Sequence, residues 1–444
     1  MTFEELNITK PLLNALIDLE YVAPTPIQEK AFPLIMSGRD IIGIAQTGTG
    51  KTFAYLLPLL RQLKFSDQKN PRILIVVPTR ELVLQIIGEI EKLTKYMQVR
   101  FLGVYGGTNI NTQKQLVYNG LDILVATPGR LVDLKLTGIL KLREIQKLVI
   151  DEADEMLNLG FRTQVINLLD TLPSKRQNLL FSATLTSDVE KMILEYFNTP
   201  LKIEITSHGT PLERIIQVGY PVPNFITKSN LLVHLLANDS SLLKVVVFVK
   251  SKKLADRLYD ELELRLPGQF AVMHSNKSQA QRFAAIKQFD EGKHRCLIAT
   301  DIIARGLDFS DVSHVINFDL PEIPADYIHR IGRTGRANKA GVAISFINEL
   351  EESYQAGIEE LMNKSIPLEE LPEGLVISNV FSEEEKPSLM NKNYSSSKGK
   401  GMTGAFHEKL GKNKKVNLGG ARRLGFKEKK KRKPVVRSAR KKKF

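Results

Sequence analysis

Two tandem α/β domains, each a mostly parallel sheet flanked by helices, and a disordered basic C-terminal tail are the architecture this sequence predicts. Three observations lead there. Short, mainly apolar strand candidates alternate with helical patterns through residues 1–205, the alternation restarts after a polar, turn-rich stretch near residues 206–213, and positive charge gathers beyond residue 390. Uninterrupted apolar runs belong to strands covered on both faces, whereas half-exposed strands alternate. The first half offers strand candidates at residues 41–45, 73–77, 101–105, 123–126, 148–150, 179–181 and 201–205, the last alternating with Lys202 and Glu204. The second offers 215–220, 245–249, 270–273, 296–299, 315–318 and 342–346. The expected division is 1–205 and 214–370 for the domains, 206–213 for a linker, 371–390 for a connecting segment and 391–444 for the tail.

With 444 residues, 43% of them hydrophobic, the chain is long enough for two or three cores. The formal charge of +14 is unevenly placed: residues 391–444 hold 20 Lys or Arg against 2 Glu, so the rest of the chain carries 43 basic and 47 acidic side chains. Basicity belongs to the tail, whose Gly, Ser and Asn content with few apolar residues cannot offset the entropy of ordering. The single cysteine, Cys296, sits in an apolar run and reads as a core residue, and the seven histidines show no paired ligand spacing. No apolar run approaches a membrane span and the amino terminus lacks a signal pattern, so a soluble cytoplasmic protein without membrane contact is expected.

The chemistry concentrates in residues 45–52, Ala-Gln-Thr-Gly-Thr-Gly-Lys-Thr, between an apolar strand and an apolar helix. Gly48 and Gly50 let backbone N–H groups converge on one point at the positive end of the following helix, which suits phosphate. Lys51 would reach the β and γ phosphates, and the Thr52 hydroxyl would ligate magnesium. Later, Val149-Ile150-Asp151-Glu152-Ala153-Asp154 delivers carboxylates to the end of a second apolar strand. There Asp151 would hold the metal largely through water, and Glu152 would orient or deprotonate an attacking water. The second half has no phosphate loop, yet His329-Arg330-Ile331-Gly332-Arg333-Thr334-Gly335-Arg336 suits close approach to phosphate oxygens across a cleft, with Arg333 and Arg336 spaced to share one face.

Over nearly all of residues 1–370 the sequence resembles the DEAD-box RNA helicases of superfamily 2. In order it carries Phe3, Tyr21, Pro24-Thr25-Pro26-Ile27-Gln28, the phosphate loop, Pro78-Thr79-Arg80-Glu81-Leu82, Gly106-Gly107 and Thr127-Pro128-Gly129-Arg130. Residues 151–154 and Ser182-Ala183-Thr184 follow, then Phe248-Val249, Gln279 and Arg282, Ala299-Thr300-Asp301, Arg305-Gly306-Leu307-Asp308, and 329–336. Ala45 at the head of the loop is normal in that family. Val83 and Ile303 are departures, and neither carries chemistry.

The resemblance implies two RecA-like domains that close when ATP and RNA bind together, with RNA-stimulated ATP hydrolysis. ATP would lie on Tyr21, Gln28, Ala45, Gln46, Thr47, Gly48, Thr49, Gly50, Lys51 and Thr52, with Asp308 at the ribose and Arg333 and Arg336 as arginine fingers. Single-stranded RNA or a short duplex, bound without sequence preference, would contact Thr79, Arg80, Gly107, Thr127, Arg130, Gln279, Arg282 and Thr300. Ser182, Thr184 and His329 would couple the γ-phosphate to closure. The tail and the short termini are most like the bacterial RhlE type, which points to ribosomal RNA or RNA-turnover proteins as partners. Two other readings stay open from sequence alone: an RNA chaperone or clamp acting through its tail, and a DNA helicase. Residues 429–433 also fit a nuclear import signal.

Overall fold

The computed structural model describes residues 2–45, 48–205, 215–301, 312–335, 341–381 and 385. The linker at 206–213, part of the phosphate loop, Asp308, Arg336 and the tail lie outside them.

All thirteen strand runs become strands, in two wholly parallel sheets. The first contains β1 (Ile41–Ile44), β2 (Ile73–Val76), β3 (Phe101–Val104), β4 (Ile123–Ala126), β5 (Lys147–Asp151), β6 (Gln177–Ser182) and β7 (Leu201–Glu204). Its order is β3-β4-β2-β5-β6-β1-β7. The second contains β8 (Ile215–Pro221), β9 (Val245–Phe248), β10 (Phe270–Met273), β11 (Cys296–Ala299), β12 (His314–Asn317) and β13 (Gly341–Ile347), in the order β10-β11-β9-β12-β13-β8. Central strands such as β2, β4 and β6 are buried at every position because helices cover both faces, while the edge strands β7 and β8 alternate buried and exposed residues. Each sheet accordingly divides its core, with separate apolar clusters on its faces.

The order of the first sheet places β5, β6 and β1 side by side. In parallel register, Gly43 opposes Phe181 and Asp151 opposes Phe181 from the other side. The carboxyl ends of these three strands therefore deliver the loop after Ile44, the acidic segment and Ser182 to one edge, where ligands collect in such sheets.

Beyond Met362 the chain returns to the second sheet. Leu368 bridges Gly219 of the edge strand, whose N–H donates to Pro367 O at 2.8 Å. Tyr220 donates to Glu369 at 2.7 Å, and Leu371 and Leu375 pack on the apolar core. This strap covers backbone that an open edge would expose, and it carries second-half contacts past residue 370 to Ser378, which donates to Thr227. No helix among the described residues is long and apolar enough to cross a membrane.

Candidate nucleotide and RNA site

The loop after β1 enters the helix Lys51–Gln62 through Gly50, whose φ of 89° is left-handed. A Cβ there would stand 2.5 Å from Gln28 Nε2, so glycine is needed for close approach as well as for the backbone angle. Gln28 fastens two segments together. Its Oε1 accepts from Thr25 N–H at 3.0 Å, opening the helix Pro26–Met36, and its Nε2 donates to Gly50 O at 3.2 Å. Tyr21 is half-exposed beside it and packs on Phe53, with ring centroids 5.1 Å apart.

Lys51 is 7% exposed at the first turn of its helix, and its ammonium has no hydrogen-bond partner among the described residues. Its charge faces Asp151, Glu152 and Asp154, but a buried ammonium whose donors are unused is costly and suits an anion. Asp151 ends β5 with both oxygens engaged: Oδ1 accepts from Glu152 N–H at 2.9 Å and Oδ2 from the Tyr55 hydroxyl at 3.0 Å. Burial raises the Asp151 carboxyl, against the opposing pull of Lys51 and Tyr55. Burial first and Asp151 second push the Tyr55 hydroxyl well above its ordinary range, so it remains a donor.

Glu152 stands at φ 52°, a strained angle for a side chain of its size. The strain turns its carboxylate inward, where Oε2 is buried with no hydrogen-bond partner. Burial pushes its carboxyl up to about 7, with Lys51 and Arg333 pulling down and Asp151 pushing up. Two orphaned buried groups of opposite sign at one strand edge fit a ligand bearing phosphate and a cation, and the donor set of Thr52 and Asp151 suits hard, oxygen-seeking magnesium.

Asp154 ties this edge to β6. Its Oδ2 accepts from the N–H and hydroxyl of Thr184 at 2.8 and 2.7 Å, and its own N–H donates to Ser182 Oγ at 3.2 Å. His329 Nε2 approaches the same Oδ2 at 3.8 Å from the second half. Burial raises the Asp154 carboxyl, but His329, Lys51 and the hydroxyls outweigh it and hold it low. Arg333, buried on the same turn as His329, donates to His329 O at 3.1 Å and acts on Glu152 through its charge. The second half thus brings His329 and the Arg333 guanidinium to the acidic edge of the first.

Residues 25–192 match the DEAD/DEAH box helicase family model, and residues 227–338 match the helicase conserved C-terminal domain. The DEAD-box ATP-dependent RNA helicase CshA of Bacillus subtilis is 37% identical over 367 residues, spanning 82% of this chain and 73% of its own. The chain belongs to the DEAD-box ATP-dependent RNA helicases. Among solved structures, S. cerevisiae Dbp5 bound to RNA and ADP BeF3 superposes with a TM-score of 0.76 at 30% identity, covering 84% of this chain and 95% of that one. Mss116p bound to ssRNA and AMP-PNP gives the same TM-score and identity, covering 84% and 80%. The two parallel sheets are therefore the RecA-like pair of an ATP-hydrolysing DEAD-box enzyme.

The described residues expected at RNA stand at strand ends and helix starts of both halves. Thr79 caps the helix Arg80–Leu93 by accepting from Leu82 N–H at 3.3 Å, and Thr127 stands at the cap of the helix Pro128–Leu136. Gly107 has φ 82°, and a Cβ on it would collide with Arg80 Nη1 at 2.2 Å. Arg130 is buried, donating to Gln113 Oε1 at 2.7 Å and Thr108 O at 2.9 Å, so it braces the loop around Gly107. Thr300 is half-buried at the end of β11. Arg282 is buried in an ion pair with Glu81 at 2.6 Å, and Gln279 accepts from Arg80 at 3.3 Å, so these side chains join the two halves.

Sequence reasoning left three participants unassigned. Glu81 pairs with Arg282, Tyr55 bonds Asp151, and Arg330 makes a forked ion pair with Asp301 at 2.5 and 2.7 Å. Glu81 adjoins an assigned residue, and Tyr55 lies one turn beyond Lys51. Their partners, however, are distant in sequence and only the fold brings them near.

Proposed function

We propose that the carboxyl edge of the first sheet binds magnesium ATP and that the arginines of the second half complete the hydrolytic site when RNA holds the halves together. The observation that carries this reading is the pair of buried, orphaned groups, Lys51 Nζ and Glu152 Oε2, beside the charge of Arg333 from the other sheet. Tyr21 and Gln28 receive adenine, residues 45–50 wrap the phosphates with backbone N–H groups, and Lys51 binds the β and γ oxygens. Thr52, and Asp151 through water, would hold magnesium, which would supply charge neutralisation to the phosphates. Glu152, with its carboxyl near 7, aligns a water on the γ-phosphorus and accepts its proton as the bond to the bridging β–γ oxygen breaks. Arg333 and Arg336 stabilise charge on the transferring group, and Asp308 lies at the ribose.

Closure is sensed through Asp154, which touches Thr184 and Ser182 on one side and His329 on the other. RNA phosphates and riboses run along Thr79, Arg80, Gly107, Thr127 and Thr300, with Arg130, Gln279 and Arg282 shaping that path through their protein contacts while presenting remaining donors to phosphate. Hydrolysis removes the γ-phosphate and releases the pairs between halves, so each turnover resets a clamp on single-stranded RNA or a locally opened duplex. The division into 1–205 and 214–370 about a linker at 206–213, with 371–390 connecting to the tail, belongs to this reading. So do a cytoplasmic location, the RhlE-type tail, and ribosomal RNA or RNA-turnover proteins as partners.

The test is ATP turnover with single-stranded RNA, DNA or neither, run beside displacement of a short RNA duplex. RNA alone should raise kcat and permit displacement. Equal stimulation by DNA, or turnover indifferent to nucleic acid, would reject the closure mechanism.

A further inference from the structure

Tyr55 has no role in the proposed hydrolysis, yet it bonds one of the two side chains assigned to magnesium and shares a helix with the other. Its ring is wholly buried and packs on Phe181 with centroids 5.3 Å apart, so the hydroxyl cannot swing away. That hydroxyl donates to Asp151 Oδ2 at 3.0 Å, and its ring is carried by the same helix, Lys51–Gln62, that carries Thr52 one turn back. The other Asp151 oxygen is taken by the N–H of Glu152, which the left-handed backbone at Glu152 holds in place. The carboxylate is thus pinned at both oxygens, once from its own strand and once from the phosphate-loop helix.

We propose that Tyr55 is a positioning residue for metal binding: its hydroxyl fixes the Asp151 carboxylate relative to Thr52, so that magnesium meets a preformed donor pair. The packing alone would be served by phenylalanine. A tyrosine in an apolar wall introduces a hydroxyl that must find a partner, and here that partner is a carboxylate beside the phosphates. The bond ties β5 to the helix Lys51–Gln62, so the geometry between phosphate loop and acidic segment is set before ligand arrives. Groups that orient a metal-binding side chain in this way commonly govern affinity for the ion more than the fold. The inference rests on the reading that Asp151 and Thr52 serve magnesium.

The experiment measures equilibrium binding of a fluorescent ADP by the full chain across a magnesium titration, with a chelated, metal-free arm. Wild type, Tyr55→Phe, Asp151→Asn and the double variant are compared, with melting of each free protein. Tyr55→Phe keeps the ring and should melt within about 4 °C of wild type. Its metal-free affinity should be unchanged within about twofold, while its magnesium midpoint rises about 3- to 10-fold. In the Asp151→Asn background the same substitution should have no further effect. If Asp151→Asn shifts the midpoint and Tyr55→Phe does not, or if the two effects simply add, the role of Tyr55 is overturned and the metal site stands. Loss of affinity equally with and without magnesium would also overturn it, marking a packing role. A wild-type affinity indifferent to magnesium, or an unshifted Asp151→Asn, would remove the metal reading itself and this inference with it.

Discussion

The two halves share a parallel-sheet plan but use their buried charges in opposite ways. At the carboxyl edge of the first sheet, Lys51 and Glu152 each keep a buried polar atom without a hydrogen-bond partner. At the corresponding edge of the second, Arg330 donates to both oxygens of Asp301, to Asn317 Oδ1 and to Asp319 O, while Lys228 pairs with Glu351 at 2.7 Å. At these two edges the charges of the second half are satisfied within it, whereas two of the first keep atoms without a hydrogen bond. Arg333, His329 and Arg282 connect the halves, because each is carried by the second and acts on a carboxylate of the first, Glu152, Asp154 and Glu81 in turn.

Arg330 and Arg333 make the sharpest test, since they are buried three residues apart on one turn. Arg330→Ala removes the forked ion pair to Asp301 and should destabilise the second half by about 3–5 kcal/mol, the usual range for breaking a buried ion pair. Arg333→Ala should leave ATP binding in place and lower RNA-stimulated kcat by on the order of 10³-fold. Melting curves and single-turnover hydrolysis separate the two. A variant pattern in which Arg333→Ala unfolds and Arg330→Ala merely slows turnover would reverse the comparison.

Glu152→Gln comes next. It preserves shape and removes the proton acceptor, so kcat should fall about 10²- to 10⁴-fold with ATP and RNA affinity retained. Near-wild-type turnover would return Glu152 to the class of structural charges.

Much of this contrast was legible beforehand. Both sheets and every strand could be read because helices cover their faces and force continuous apolar runs, as at residues 73–76 and 245–248. Lys51, Asp151 and Glu152 were legible because local backbone geometry and short spacings place them. The Arg282–Glu81, Arg330–Asp301 and Tyr55–Asp151 contacts were not, because each joins residues far apart in the chain and depends on which helix end meets which strand. Residues 371–390 read as a connecting segment, yet the Ser378 N–H donates to Thr227 and Leu371 and Leu375 pack on the core of the second half.

The unequal use of charge also has a signature in stability. A carboxyl raised from its ordinary 4.5 to about 7 binds more protons folded than unfolded between those values. Stability contributed by Glu152 therefore declines as pH rises through that window and stays low above it. Glu152→Gln removes that penalty, so without ligand the variant should be the more stable protein at pH 8, by at most about 3 kcal/mol, with the advantage shrinking toward pH 5. Thermal melts across pH read this directly. An advantage independent of pH would mean that the carboxylate is not the source of the strain.

The smallest effect on the cleft should come from removing residues 391–444, whose surplus of 18 positive charges lies outside both halves. Such a segment raises the local concentration of RNA without contacting the reacting atoms, so kcat at saturating RNA should not change. Affinity should. Neutralising about six phosphates gives log K a slope near −4 to −5 against log salt, and truncation after Met390 should flatten that slope and raise the RNA needed for half-maximal turnover. What affinity remains then measures the cleft itself, including the path along Arg80 and Thr127. The comparison is an RNA titration of full-length and truncated protein at low and moderate salt. Identical affinities and slopes would assign RNA binding to the two halves alone and make the tail a protein-docking segment. A fall in kcat at saturating RNA would instead mean that the tail reaches the machinery between the sheets, and the division of labour drawn here would have to include it.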